Sequence, residues 1–120
     1  MRPIARKNRH EHGLDELADR IRAALPPGAH TIEKKMFGGI AFMLDGNMLL
    51  CPTRDGALMV RVGKDGMAAA LERPGAQIME MSGRSMNGFV LLSGDALEDD
   101  DTLADWVDLA LAFVRTLPPK

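Results

Sequence analysis

The chain has 120 residues, 15 basic and 17 acidic, with a net charge of −2. That fits one domain and excludes a polycation that grips nucleic acid by neutralising many phosphates. Hydrophobic residues at 46% and charged residues at 27% are ordinary globular usage, so wholesale disorder is excluded as well. A single cysteine, Cys51, rules out an internal disulfide and any cysteine-built metal site and points to a reducing compartment.

Residues 1–12 carry Arg2, Arg6, Lys7 and Arg9 with His10 and His12, and lack the apolar centre of a secretory signal. They read as a flexible basic arm on a cytoplasmic protein, ahead of a single domain over residues 13–120. Leu14, Leu17, Ile21 and Leu25 recur at helical spacing until Pro26-Pro27-Gly28 stops them, which predicts a first helix. Asp-Gly follows at Asp45-Gly46, Asp55-Gly56 and Asp65-Gly66, a dipeptide that favours tight turns because both residues tolerate positive φ. These turns delimit strands over residues 35–44, 47–53 and 57–62, the last placing Leu58, Val60 and Val62 on one face and Ala57, Met59 and Arg61 on the other. Gly38-Gly39 falls inside the first of them and implies a bulge or a close backbone approach.

The Ala-rich stretch 64–72 predicts a short second helix ended by Arg73-Pro74-Gly75. Strands over 77–81 and 89–93 come next, joined by a loop over 83–88. Asp99, Asp100, Asp101 and Thr102 then supply caps and negative charge for a last helix, whose stripe is Leu103, Trp106, Val107, Ala110, Val114 and Leu117. The order is α-β-β-β-α-β-β-α: a two-layer α+β domain, with helices flanking one face of a five-stranded antiparallel sheet. Its uncovered edges make a homodimer the expected assembly. No window holds the ~18 apolar residues of a membrane span.

The sequence contains near-matches to several catalytic and ligand-binding motifs, each broken at a residue the chemistry needs. Gly83-Arg84-Ser85-Met86-Asn87-Gly88 has two glycines at phosphate-loop spacing, but Phe89 stands where the lysine belongs, and a strand follows where a helix is needed. No serine has the flanking glycines of a nucleophile elbow, and no histidine lies downstream of Ser85 to act as base. His10 and His12 lack apolar support for a metal site. The acidic run from Asp95 to Asp101 has no alternation of ligands around a glycine, so helix capping explains it better than calcium. Cys51 lies on an apolar strand as a small core residue, with Arg54 the one nearby cation that could activate it. No catalytic residue, cofactor or metal is expected.

Recognition enters at Lys34-Lys35-Met36-Phe37-Gly38-Gly39-Ile40-Ala41-Phe42-Met43-Leu44, with Gly46 and Asn47 behind it. This segment resembles the signature of the N-terminal domain of the TfoX (Sxy) family. The likeness continues through Leu58-Met59-Val60-Arg61-Val62, Arg73-Pro74-Gly75-Ala76 and the stretch from Met81 through Gly83 and Gly88 to Phe89, and ends at Leu103, Trp106 and Val107. The resemblance implies a secretion-chaperone-like antiparallel sheet, in which Met36, Phe37, Gly38, Gly39, Phe42, Gly46, Gly83, Gly88 and Trp106 are structural. It also implies a bacterial, non-enzymatic regulator linked to competence or transcription, acting through a protein partner. The family's second, helical domain has no counterpart here, so direct DNA binding is not expected. The competing reading is a binder of small molecules or nucleic acid that uses Arg2, Arg6, Lys7 and Arg9 with Lys34 and Lys35.

Overall fold

The computed structural model describes residues 9–36 and 38–120, the side chains of residues 9–12 and of Met81 apart. Helix α1 covers Arg9–Ala24, beginning five residues before the first apolar position of its stripe. Strands β1 (Ile32–Met36), β2 (Gly39–Leu44), β3 (Asn47–Pro52) and β4 (Ala57–Arg61) follow. A 3-10 turn over Lys64–Gly66 leads into the short α2 (Met67–Leu71). The chain then runs through β5 (Ala76–Met81), β6 (Arg84–Ser93) and α3 (Asp100–Val114).

The sheet has six strands in the order β1-β2-β3-β4-β6-β5, and every pairing is antiparallel. Two expectations are corrected. The single strand expected over residues 35–44 is a hairpin: β1 and β2 pair from Ile32↔Met43 to Met36↔Gly39, and the chain reverses between Met36 and Gly39. Gly38 makes the reversal possible with φ of 71°, a conformation costly for any residue bearing a Cβ. The loop expected over 83–88 is also mostly strand. The reversal there needs only Ser82 and Gly83, both at positive φ, and Arg84 and Ser85 already pair with Met81 and Glu80. The element order is therefore α-β-β-β-β-α-β-β-α.

All three helices lie on one face. Leu17, Ala18 and Ile21 of α1, Ala70 of α2 and Leu103, Trp106, Val107, Ala110, Leu111 and Val114 of α3 form one core with Phe42, Leu49, Leu50, Leu58, Val60, Val90 and Leu92 from the strands. Leu49 and Leu50 both reach this side although they are neighbours on a strand. The register shifts between Phe42 and Met43, whose partners are Leu50 and Met48, leaving Leu49 as the extra residue of a bulge. Each fully buried large side chain contributes about 1.5 to 3 kcal/mol, against about 1 kcal/mol at most for an exposed ion pair such as Arg20 Nε to Asp100 Oδ1 at 2.9 Å. Packing of α1 and α3 on the sheet therefore dominates, and the ion pairs at the rim only orient.

The opposite face carries a smaller cluster with no helix residue in it: Ala41, Met48, Cys51, Met59 and Met79, with Met43, Met86, Phe89 and Leu91 beside them. The alternation read from β4 holds, with Leu58 and Val60 among the helices and Met59 on the far side. The C-terminal tail is tied back to the β2–β3 turn, where the buried Asn47 side chain donates to the Pro118 carbonyl at 3.0 Å and the Lys120 N–H donates to the Asp45 carbonyl at 2.8 Å.

Candidate functional site

The residues singled out in sequence do not converge on one place. Arg2, Arg6, Lys7 and Phe37 lie outside the described residues, and Arg9 opens α1 with its side chain likewise outside them. Lys34 and Lys35 are exposed on β1. Phe42 is fully buried under the helices and Trp106 is 1% exposed on α3. Gly46 packs against Lys120. Gly83 sits in the β5–β6 turn, and the Gly88 carbonyl accepts from the N–H groups of both Val62 and Gly63, at 2.8 and 3.0 Å.

The Met36–Gly39 region is the most constrained of these. Gly39 pairs with Met36 on one side and bridges Thr53 on the other. A Cβ built on it would overlap the Pro52 carbonyl and stand 2.9 Å from the Thr53 Cα. The close backbone approach read from the glycine pair is thus made by Gly39, while Gly38 turns the chain and its carbonyl accepts the Arg54 N–H at 3.2 Å. Beside this crossing lies a cavity of about 480 Å³, with Leu14, Met36 and Ile40 as apolar wall and Asp15, Lys35 and Arg54 as charged rim. Charges of both signs share the rim.

A second cavity, of about 520 Å³, lies between the Arg73–Gly75 turn and α3. The Arg73 guanidinium sits 5.4 Å above the Trp106 ring, which attracts a cation through its electron-rich face. Asp95, Asp105, Ser93 and Thr102 complete the polar lining. Sequence reading placed Trp106 in the core correctly, but nothing in the spacing of Arg73 and Trp106 announces their stacking.

The groups whose titration is displaced among the described residues, Arg22, Glu33, Cys51 and Asp99, lie outside the lining of both cavities. A general acid or base needs a pKa moved toward working pH by burial or charged neighbours. Among the described residues, the groups whose titration is displaced move the other way. The Arg22 hydrogen bonds hold the Glu33 carboxyl below the usual range, and Glu33 in turn raises Arg22. Backbone and hydroxyl hydrogen bonds from Thr102 lower Asp99, which serves as N-cap of α3, accepting the Thr102 N–H at 2.9 Å. Burial pushes the Cys51 thiol up to about 11, so the proximity of Arg54 in sequence does not activate it. His30 is exposed, and no group of three His, Cys, Asp or Glu side chains is arranged to hold a metal ion among the described residues. No helix among them is long and apolar enough to cross a membrane.

What the surface offers instead is asymmetry. One face of the sheet is sealed by helices, while β1 at its margin is exposed at all five residues, with Ile32 at 66% and Met36 at 36%. No curated protein matches the chain. The TfoX N-terminal domain matches residues 24–114, from the end of α1 to the end of α3, and so takes in the whole sheet and the buried Trp106. With about three quarters of its length matched, over the whole sheet, α2 and α3, the chain belongs to the TfoX N-terminal domain family.

Proposed function

We propose that this chain is a non-enzymatic regulatory module of the TfoX N-terminal type, which acts in the cytoplasm by contacting a protein partner in transcription or competence control. The observation that carries the reading is the asymmetry just described: three helices on one face, and a free marginal strand exposed at every residue. Such a margin offers backbone groups and apolar side chains to another chain. The displaced pKa values support the non-enzymatic part, since each leaves its group further from neutral titration. A homodimer through the β5 margin, where Ile78 is 52% exposed, belongs to the same reading.

The second reading, a binder of small molecules or nucleic acid, draws on the cavity beside Lys35 and Arg54. Affinity capture of the tagged chain from its native lysate, with bound proteins and nucleic acids both identified, separates the two. The module reading expects a protein that binds again when both components are purified. Recovery of nucleic acid or a metabolite alone would overturn it.

A further inference from the structure

We propose that β1 is the docking margin of this module, and that its occupant is an extended acidic segment of a partner protein, added beside β1 as one more antiparallel or parallel strand. The inference rests on the protein-partner reading above and narrows it to one strand and one chemistry.

Strand β1 ends the sheet order, with β2 as its single neighbour. Among the described residues its outward backbone groups therefore have no sheet partner, which leaves them open to strand addition. Pairing with Met43, Ala41 and Gly39 puts Ile32, Lys34 and Met36 on the helix-free face, and pairing with Phe42 and Ile40 puts Glu33 and Lys35 on the helix side. The charges are not balanced. Glu33 is engaged by Arg22, whose Nε and Nη2 donate to its two carboxylate oxygens at 2.7 Å each. Lys34 and Lys35 are in no ion pair among the described residues. The strand thus presents two free positive charges and no free negative one.

That imbalance selects the occupant. A second copy laid antiparallel along β1 and centred on Lys34 would set Lys34 against Lys34, a like-charge pair that is destabilising, and would set Lys35 against a Glu33 that Arg22 already holds. Pairing β1 of one copy with β5 of the next would bring Glu80 to the lysines, but such a head-to-tail contact propagates without closing. An acidic strand meets neither obstacle. Because the whole chain carries −2, it exerts no general attraction on an acidic peptide, so binding has to be local to this margin. The register dictates the pattern: an apolar residue against Ile32, an acid against Lys34, an apolar residue against Met36, and a second acid on the other side against Lys35.

The test uses the full chain and a fluorescein-labelled peptide centred on Val-Glu-Glu-Glu-Val, which reads the same in either strand direction and leaves one glutamate opposite Glu33, whose charge Arg22 already offsets. Anisotropy should rise saturably, and hydrogen exchange should slow over residues 31–36. Replacing the three glutamates by lysine, or the central one by proline, should weaken binding at least about tenfold, through charge and through loss of the ladder respectively. The Lys34→Glu, Lys35→Glu double variant should reverse the preference in favour of the lysine peptide while keeping its melting temperature, since both side chains are exposed. No binding, equal binding of the proline peptide, or protection confined to β5 would overturn the proposal. So would concentration-dependent oligomers that vanish in the double variant, because they would assign β1 to self-association. A purified partner that binds the double variant undiminished would also remove this inference while leaving the module reading intact; capture of no protein at all removes the module reading itself.

Discussion

Arg22 of α1 holds Glu33 of β1 with two parallel hydrogen bonds of 2.7 Å, and the same guanidinium also meets Asp19 one turn back on the helix. This fork is the polar tie between the first helix and the marginal strand. Because both partners remain partly exposed, solvent screens the pair, and Glu33→Gln should cost only about 0.5 to 1 kcal/mol in urea unfolding at pH 7.

The sign of its pH dependence follows from the lowered Glu33 carboxyl. A group whose folded pKa lies below its unfolded value contributes stability above about pH 4, and loses it as pH falls through the folded value. The difference between wild type and Glu33→Gln should therefore be full at pH 7 and shrink as pH falls below about 4. A difference that did not shrink at all between pH 7 and pH 2.5 would show that the substitution acts through packing and not through charge.

Gly39 and Gly38 should respond differently to substitution. Gly39→Val forces a side chain into the Pro52 carbonyl and should lower stability by about 2 to 3 kcal/mol. Gly38→Ala meets no atom within 4 Å but must hold φ near 71°, which costs roughly 1 kcal/mol. Chemical denaturation of both variants checks the order. Equal losses would mean that the crossing at Pro52 gives way easily.

These two glycines also mark where sequence reading reached its limit. The three Asp-Gly turns were legible because local backbone chemistry alone specifies them, and the helices were legible from their apolar period. The run from Lys35 to Leu44 contains no such dipeptide, so it reads as one strand until the pairing of Met36 with Gly39 reveals a reversal. Residues 84 and 85 fail in the opposite sense: their composition suits a loop, but pairing with Met81 and Glu80 makes them strand. The closeness of Gly39 to another backbone was inferable, since a glycine inside an apolar strand needs a reason. Arg22 with Glu33 and Arg73 with Trp106 are tertiary meetings, to which spacing along the chain gives no clue.

Trp106 is the chain's one tryptophan, and tyrosine is absent, so its emission reports the second cavity without interference. Arg73→Ala removes the cation 5.4 Å above the ring. The variant should lose about 0.5 to 1 kcal/mol, and acrylamide should quench its emission more readily than that of the wild type. Unchanged quenching would mean that Pro74 and Gly75 seal the ring without the guanidinium.

Cys51 should be chemically silent. Its thiol is buried at 0% exposure and raised to about 11 by that burial, so a thiol-specific disulfide reagent at pH 8 should react no faster than the protein opens. Labelling rates across a urea series should track unfolding. Rapid labelling in native buffer would show that the Met48, Met59 and Met79 cluster around it opens locally.

The joining of α1 to α3 in one core has a consequence for how the protein is made. Of its two main covering helices, α1 is synthesised before the sheet and α3 after it, and the sheet between them cannot be sealed from either alone. A chain still emerging from the ribosome can close the β2–β3 and β3–β4 hairpins, whose contacts are local, but Phe42, Leu50 and Val60 remain wet until Trp106 and Val107 arrive. Until α3 is made, the apolar surface it later hides is therefore open to whatever nascent-chain chaperone stands nearby, and a chain truncated before residue 100 lacks the Leu103, Trp106 and Val107 side chains that close the core.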